Sequence, residues 1–381
     1  MAEYQYYEFQ AVDRLLDEKA RAELRAISTR ARITPSSFVN SYDWGDLKAD
    51  PLKLLERYFD LFVYVANWGT RQFAMKLPAR LLDTKVLRPY RLVEDLALVR
   101  QSGENVIVSI QRNELEYEDL DDGSGWLGAL AAVRAEVLAG DLRLFALLWL
   151  IQVQDEVIDD DAVEPPPRLG PLSPALAALA DFLCIDGDLL EAAAGSSVVP
   201  EPAQPSADEA DRFLRELTED EKVSLLIRLY RGDDPHLGVE LRRRVVGAGK
   251  AQAIPDAPPR TAGDLRTAAR RLEAERARMA EEKAAAERRR QEREAAQARE
   301  KRLELLARRQ DAAWQEAEAL IAQRNPPGYE RATVLLTDLG ELADRSDAYE
   351  GFAQRVAGLR SRHAGKRNFI SRLDAAGLPG R

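Results

Sequence analysis

The sequence predicts an α+β protein: a small N-terminal α+β domain followed by helical modules, a long charged helix and a C-terminal helical bundle. Three observations predict it. Residues 1–113 mix strand and helix periodicities, and residues 126–194 keep only the helical one. Residues 262–311 carry 15 Lys or Arg against 11 Asp or Glu with no proline, a composition that favours one long helix.

In the first domain, residues 1–113, Tyr4, Tyr6 and Glu8 alternate with Gln5, Tyr7 and Phe9, as in a strand with two different faces. Residues 17–29 read as a short amphipathic helix with Ala20, Leu24 and Ile27 on one side. Asp50-Pro51 supplies an N-cap and a first-turn proline for a second helix, in which Leu55, Tyr58, Phe59, Phe62 and Val65 recur at helical spacing. Strands are expected at 71–77, 96–99 and 105–111, the last two joined by the loop 100–104.

Residues 114–194 read as an acidic helical domain, broken at Gly140-Asp141 and Pro165-Pro166-Pro167. Within it, 142–153 is apolar nearly all round, which suits the centre of a bundle. Residues 195–206 form a proline-bearing linker. A short helical module, 207–247, has helices at 208–217, 219–230 and 237–246, with Thr218 and Glu221 spaced as a capping box. A second linker covers 248–261.

In the long helix, 262–311, Leu265, Leu272 and Met279 fall seven apart, but only alanines are apolar between Met279 and Leu303. A strut is expected rather than a continuous coiled-coil seam. Arg271–Glu275, Arg278–Glu282, Arg288–Glu292 and Arg290–Glu294 could support it, each by about 0.2 to 0.5 kcal/mol. Residues 312–381 return to two or three amphipathic helices.

With 381 residues, 45% of them hydrophobic, the chain can bury more than one core. Its net charge of −10 excludes a general cationic coat, and the charge is polarised, with −15 on residues 1–261 and +4 on the long helix. One cysteine, Cys184, cannot form an intrachain disulfide, and with His236 and His363 it cannot complete a four-ligand zinc site. No cofactor or metal is expected. The N-terminal segment lacks a signal-peptide pattern and the longest apolar run, 144–151, is too short to span a bilayer, so a cytoplasmic chain without membrane contact is expected.

Several blocks carry a resemblance: Glu8-Phe9-Gln10-Ala11-Val12-Asp13-Arg14, residues 28–35, Tyr42-Asp43-Trp44-Gly45-Asp46, Asn67-Trp68-Gly69-Thr70, residues 126–143, residues 225–241, and the tail from Trp314 through Tyr329, Phe352 and His363 to Leu378-Pro379. They resemble the segments flanking the finger in bacterial SWIM zinc-finger proteins. The Cys and His ligands of such a finger are missing, so the resemblance implies no metal site, no finger-borne DNA contact and no reaction.

Among candidate sites, Gly123-Ser124-Gly125-Trp126-Leu127-Gly128 has the spacing of a pyrophosphate loop. Acidic residues between 114 and 122 precede it instead of a strand, so a helix-start loop is the default. The acidic cluster Asp155, Glu156, Asp159, Asp160 and Asp161 follows an apolar helix, where the dipole disfavours anions. A solvated loop is the first reading there, a cation or a basic partner the other. Cys184, between Leu183 and Ile185, reads as a buried inert thiol on a helix face. His236 reads as the cap of the next helix. Arg360, Arg362, His363, Lys366 and Arg367 form the most basic short patch outside the long helix and could meet phosphate or an acidic partner. Asp43, Trp44, Asp46 and Trp68 suit a structural corner or a ligand rim, the corner being favoured.

No catalytic constellation emerges from these residues. The expected function is that of a non-catalytic interaction or scaffold protein with a protein partner, in which about 50 helical residues, at roughly 1.5 Å each, hold two modules about 75 Å apart. The alternatives are a nucleic-acid accessory factor using residues 262–381, and an enzyme with a site near Asp43 and Trp68.

Overall fold

The computed structural model describes residues 3–116, 121–195, 206–232, 234–248 and 259–379. Most of both expected linkers, and part of the acidic run before Asp121, lie outside the described residues. The chain divides into two units, residues 1–275 and 276–381.

The first unit is built on one antiparallel sheet of seven strands: β1 (Gln5–Gln10), β2 (Arg32–Ile33), β3 (Ser37–Tyr42), β4 (Leu61–Ala66), β5 (Thr70–Pro78), β6 (Ala97–Ser102) and β7 (Asn105–Arg112). Their order is β2-β3-β1-β4-β5-β7-β6. Helix α1 (Glu18–Ile27) starts where the Asp17 carboxylate accepts from the Ala20 N–H, and α2 (Pro51–Tyr58) where Asp50 accepts from Leu52 and Lys53. Both helices cover one face of the sheet, where Leu24, Leu54 and Leu55 meet Phe9, Phe38, Phe62 and Ile107.

The opposite face, with Val63, Val65, Phe73, Met75, Val106, Val108 and Ile110, is covered by α3 (Trp126–Ala139), α4 (Arg143–Gln154), α5 (Pro174–Phe182) and α6 (Gly187–Ala194). Every residue of α4 from Leu144 to Val153 is buried, as its near-continuous apolarity implies, and the one polar residue, Gln152, donates to the Tyr90 carbonyl at 3.2 Å. Residues 1–113 and 114–194, read separately in the sequence, therefore share one core.

That double covering explains the main correction to the sequence reading. The helix expected to run through Phe62 and Val65 stops at Tyr58. Residues 61–66, Leu-Phe-Val-Tyr-Val-Ala, form the central strand β4. Buried on both faces, β4 shows no polar alternation, and its apolar residues coincide with a helical period. The strands β2 and β3 are likewise additions. The β6–β7 hairpin is tighter than expected: Ser102 pairs with Asn105, leaving a two-residue turn begun by Gly103 at φ +56°.

The helical module comprises α7 (Ala207–Glu216), α8 (Glu219–Arg231) and α9 (Leu237–Ala248). Both α7 and α8 begin with complete capping boxes, Ser206 with Glu209 and Thr218 with Glu221. The long helix α10 (Ala262–Ala307) also starts at a capping box, in which Thr261 and Asp264 exchange hydrogen bonds at 2.9 and 3.2 Å. Its Ala262 and Leu265 are buried in the core of the first unit. Residues 273–284 and 288–302 of α10 are exposed throughout, Met279 at 57%. Of the four supporting pairs foreseen, Arg278–Glu282 at 3.9 Å and Arg290–Glu294 at 3.6 Å are formed, and Arg290 also meets Glu287 at 2.8 Å.

The second unit takes the end of α10 together with α11 (Gln310–Ala322), α12 (Pro326–Arg345), α13 (Tyr349–Arg362) and α14 (Arg367–Ala375). The long helix ends at Ala307, not 311. Arg309 leaves the helical conformation at φ −134°, and Leu306 turns into a core with Trp314, Leu336, Phe352 and Phe369. No glycine or proline marks that break, which hid it in the sequence. The buried Phe369 and Leu373 make α14 part of this core, one element beyond those expected.

Candidate functional site

Loops gather at one end of the sheet. Gln5, at the start of β1, is opposite Tyr42 at the end of β3 and Ala66 at the end of β4. The loop carrying Asp43, Trp44 and Asp46 and the turn carrying Trp68 therefore leave the same sheet end. The buried Gln5 amide tethers the first loop, donating to Asp46 Oδ1 at 2.8 Å and to the Gly45 carbonyl at 3.1 Å. Its carbonyl oxygen accepts from Tyr7 at 2.6 Å and Tyr64 at 2.9 Å. Trp44 is 74% and Trp68 46% exposed, and among the described residues neither indole N–H has an internal acceptor. The structural-corner reading needed those N–H groups satisfied locally. The four residues share an edge of the molecule and present two apolar rings and two carboxylates to solvent.

The glycine loop joins this end without offering a phosphate site. Asp121 Oδ1 accepts from the Gly123 N–H and Asp122 Oδ1 from the Ser124 N–H, each at 2.9 Å, so its own carboxylates occupy donors that a phosphate would need. Gly123, at φ +80°, passes so close to Tyr6 that a Cβ would stand 2.6 Å from the ring. Asp121 also receives the Trp126 indole and the Arg71 guanidinium, both at 2.8 Å.

Two carboxylates of the acidic cluster after α4, Asp155 and Asp160, find basic partners within the chain. Arg112 meets Asp155 at 2.7 Å, and Arg266 of α10 pairs with Asp160 while donating to the carbonyls of Val153 at 3.0 Å and Ile158 at 2.7 Å. A guanidinium thus caps the helix end that the carboxylates disfavour. Among the described residues no group of three His, Cys, Asp or Glu is placed to hold a metal ion. Cys184 is not on a helix: it lies just past α5 at φ +51°, half-buried, with Sγ 3.7 Å from Arg71 Nη1. The left-handed turn that ends α5 accounts for this, and the sequence gives it no glycine signal.

In the second unit the basic patch is distributed over the α13–α14 junction. Arg360 is bound to Asp374 at 2.5 Å and to the Leu378 carbonyl at 2.9 Å, Arg362 pairs with Glu318, and Lys366 donates to the Ile321 carbonyl at 3.0 Å. His363 lies edge-on to Phe369; burial, then Lys366 and Arg362, pushes its ring below the usual imidazole range. Arg367 is exposed. Beside this patch, Trp314, Arg355 and Arg362 line an open groove of about 500 Å³ that Gly351 and Gly358 of α13 leave unfilled. The Arg355 guanidinium stacks 4.6 Å from the Trp314 ring.

Sequence reasoning missed a charged cluster in the first unit. Arg134 of α3, its side chain 4% exposed, grips Asp13 with Nη1 at 2.9 Å and Nη2 at 2.5 Å and donates to the Lys76 carbonyl at 2.8 Å. His236, foreseen only as a helix cap, is buried and donates from Nε2 to the same carboxylate at 2.8 Å. Asp60 closes the cluster, accepting from the N–H groups of Val12 at 2.7 Å and Asp13 at 2.9 Å, with Lys76 at 3.4 Å. Nearby, Arg80 and Arg228 share Asp234 and Glu240. The arrangement binds α8 and α9 to the sheet. Its members lie too far apart in sequence for any spacing to reveal it.

Compared with models of known protein families, with curated proteins and with solved structures, the chain matches none. No helix among the described residues is long and apolar enough to cross a membrane.

Proposed function

We propose that this chain is a non-catalytic interaction or scaffold protein in which the long charged helix spaces two partner-binding modules. One observation carries the reading. Helix α10 buries Leu265 in the core of the first unit and Leu306 in that of the second, while residues 288–298 between them are exposed, and from Arg299 on the helix meets α12 through ion pairs such as Arg345–Glu300. A helix that covers no apolar surface over about three turns contributes length and connection rather than core. Two surfaces are proposed to receive partners: the rim at Trp44 and Trp68, whose exposed aromatic rings are of the kind that supplies much of the binding energy at protein interfaces, and the groove that Arg355 and Arg362 line beside the buried Trp314.

Affinity capture with the full chain and with chains carrying only residues 1–275 or 276–381 tests this. Each half should recover a different protein and the full chain both. If either half alone recovers everything the full chain does, the bridging role is wrong.

Nucleic-acid binding is a second reading, favoured by the exposed run Arg288-Arg289-Arg290. It requires that binding of the full chain to DNA or RNA weaken steeply as salt rises, and an absence of binding at low salt removes it.

A further inference from the structure

Helix α8 buries one apolar residue, Leu225, and leaves the rest of its apolar surface uncovered, with Leu229 beside Leu225 exposed at 66%. Leu225 packs inward with Leu217 and Leu237, whereas Val223, Leu226, Ile227 and Tyr230 point away, exposed by 51%, 62%, 45% and 92%. At roughly 100° per residue these four form one stripe opposite Leu225. An uncovered apolar stripe of this kind marks an interface.

The charges at its margins identify the occupant. The first turn of α8 is acidic, with Glu219 and Asp220, and its last turn is basic, ending in Arg231. Asp220 and Arg231 lie on the same flank of the stripe, about 20° apart around the helix axis at 3.6 residues per turn. Both are exposed, and neither has an ion-pair partner among the described residues. When two copies of such a helix pack antiparallel about a two-fold axis, equal flanks meet at opposite ends. Asp220 of each copy then faces Arg231 of the other, twice per dimer, and the two helix dipoles oppose.

We propose that a second copy of this chain covers the stripe, giving a two-fold dimer across α8 paired antiparallel with itself. A single helix face lies at the small end of specific interfaces, below about 1,200 Å² in total, so the dimer is reversible and concentration-dependent. The inference does not rest on the scaffold reading, since dimerisation and partner bridging are measured separately.

Sedimentation equilibrium of the full chain over a concentration series decides it. The wild type should pass from the mass of one chain to that of two. Leu226→Asp should hold it at one chain with an unchanged melting temperature. Asp220→Arg alone and Arg231→Asp alone should each weaken association at least tenfold, by placing like charges opposite each other. The double reversal should restore it, and an equimolar mixture of the two single variants should form a mixed dimer. A wild type that stays at one chain throughout, because the stripe serves a different protein, overturns the proposal. So does a dimer indifferent to Leu226→Asp, or charge reversals that fail to rescue each other.

Discussion

His236 and Asp13 stand 223 positions apart in the chain, yet the ring Nε2 of one lies 2.8 Å from the carboxylate Oδ2 of the other. The contact ties the start of α9 to the loop after β1. Arg134 grips the same carboxylate from α3, so three segments converge on one charge.

Burial alone would raise the Asp13 carboxyl, but hydrogen bonds from His236 and then Arg134 hold it well below the usual carboxylate range. The unfolded chain therefore binds this proton more readily. Stability from the group is complete above its unfolded value of about 4 and is lost as pH falls from there toward the lower folded value. Asp13→Asn should cost about 3 kcal/mol at neutral pH, because it leaves the buried Arg134 charge with only the more distant Asp60, 3.9 Å away. The variant should also lose less stability than the wild type between neutral pH and about pH 3. Urea titrations at the two pH values check both statements, and parallel acid limbs would refute the assignment.

Arg71 is held by shape as much as by charge. Nη1 donates to the Phe182 carbonyl at 2.9 Å and Nη2 to Asp121 at 2.8 Å, while the guanidinium lies 5.3 Å from the Trp126 ring and 5.5 Å from that of Phe182. An ammonium keeps the charge but neither the fork nor the stacking. Arg71→Lys should destabilise by about 2 kcal/mol and alter the near-ultraviolet dichroism of Trp126. A wild-type denaturation midpoint with an unchanged spectrum would contradict this.

The heptad-spaced Leu265, Leu272 and Met279 have divergent surroundings, with Leu265 buried at 1% exposure and Met279 exposed at 57%. Met279→Glu should change stability by no more than about 0.5 kcal/mol, whereas Leu306→Ala, at a position 3% exposed, should cost about 2 to 4 kcal/mol. Thermal melts of the two variants check this. A Met279→Glu change that lowers the melting temperature as much as Leu306→Ala would mean that a second helix covers α10.

Where a local rule governed one element alone, the sequence was legible. Asp50-Pro51 started a helix as expected, Thr218 and Glu221 formed their capping box, and the apolar helix expected over 142–153 became the buried α4. What failed depended on neighbours distant in sequence. β4 reads as helix because both its faces are covered, and Cys184 reads as helical because the left-handed turn after α5 has no glycine. The grouping of the Trp44 and Trp68 loops follows from strand register, with Gln5 opposite both Tyr42 and Ala66, which spacing along the chain cannot disclose. The His236–Asp13 pair was hidden for the same reason.

The five tryptophans allow one more comparison. Trp149 is 2% exposed within the largely apolar, buried α4, whereas Trp44 is 74% exposed on a loop whose tether is the Gln5 amide bound to Asp46 and Gly45. Removing an exposed indole leaves no cavity and strands no partner, so Trp44→Ala should keep stability within about 0.5 kcal/mol of wild type. Trp149→Ala empties a packed site and should cost about 3 to 5 kcal/mol. Acrylamide quenching supplies an independent reading: the most accessible part of the intrinsic fluorescence should disappear with Trp44 and persist when Trp149 is replaced by Phe. Equal destabilisation by the two alanine variants would mean that the loop of residues 43–46 is a structural corner, and it would withdraw Trp44 from the proposed partner-binding rim.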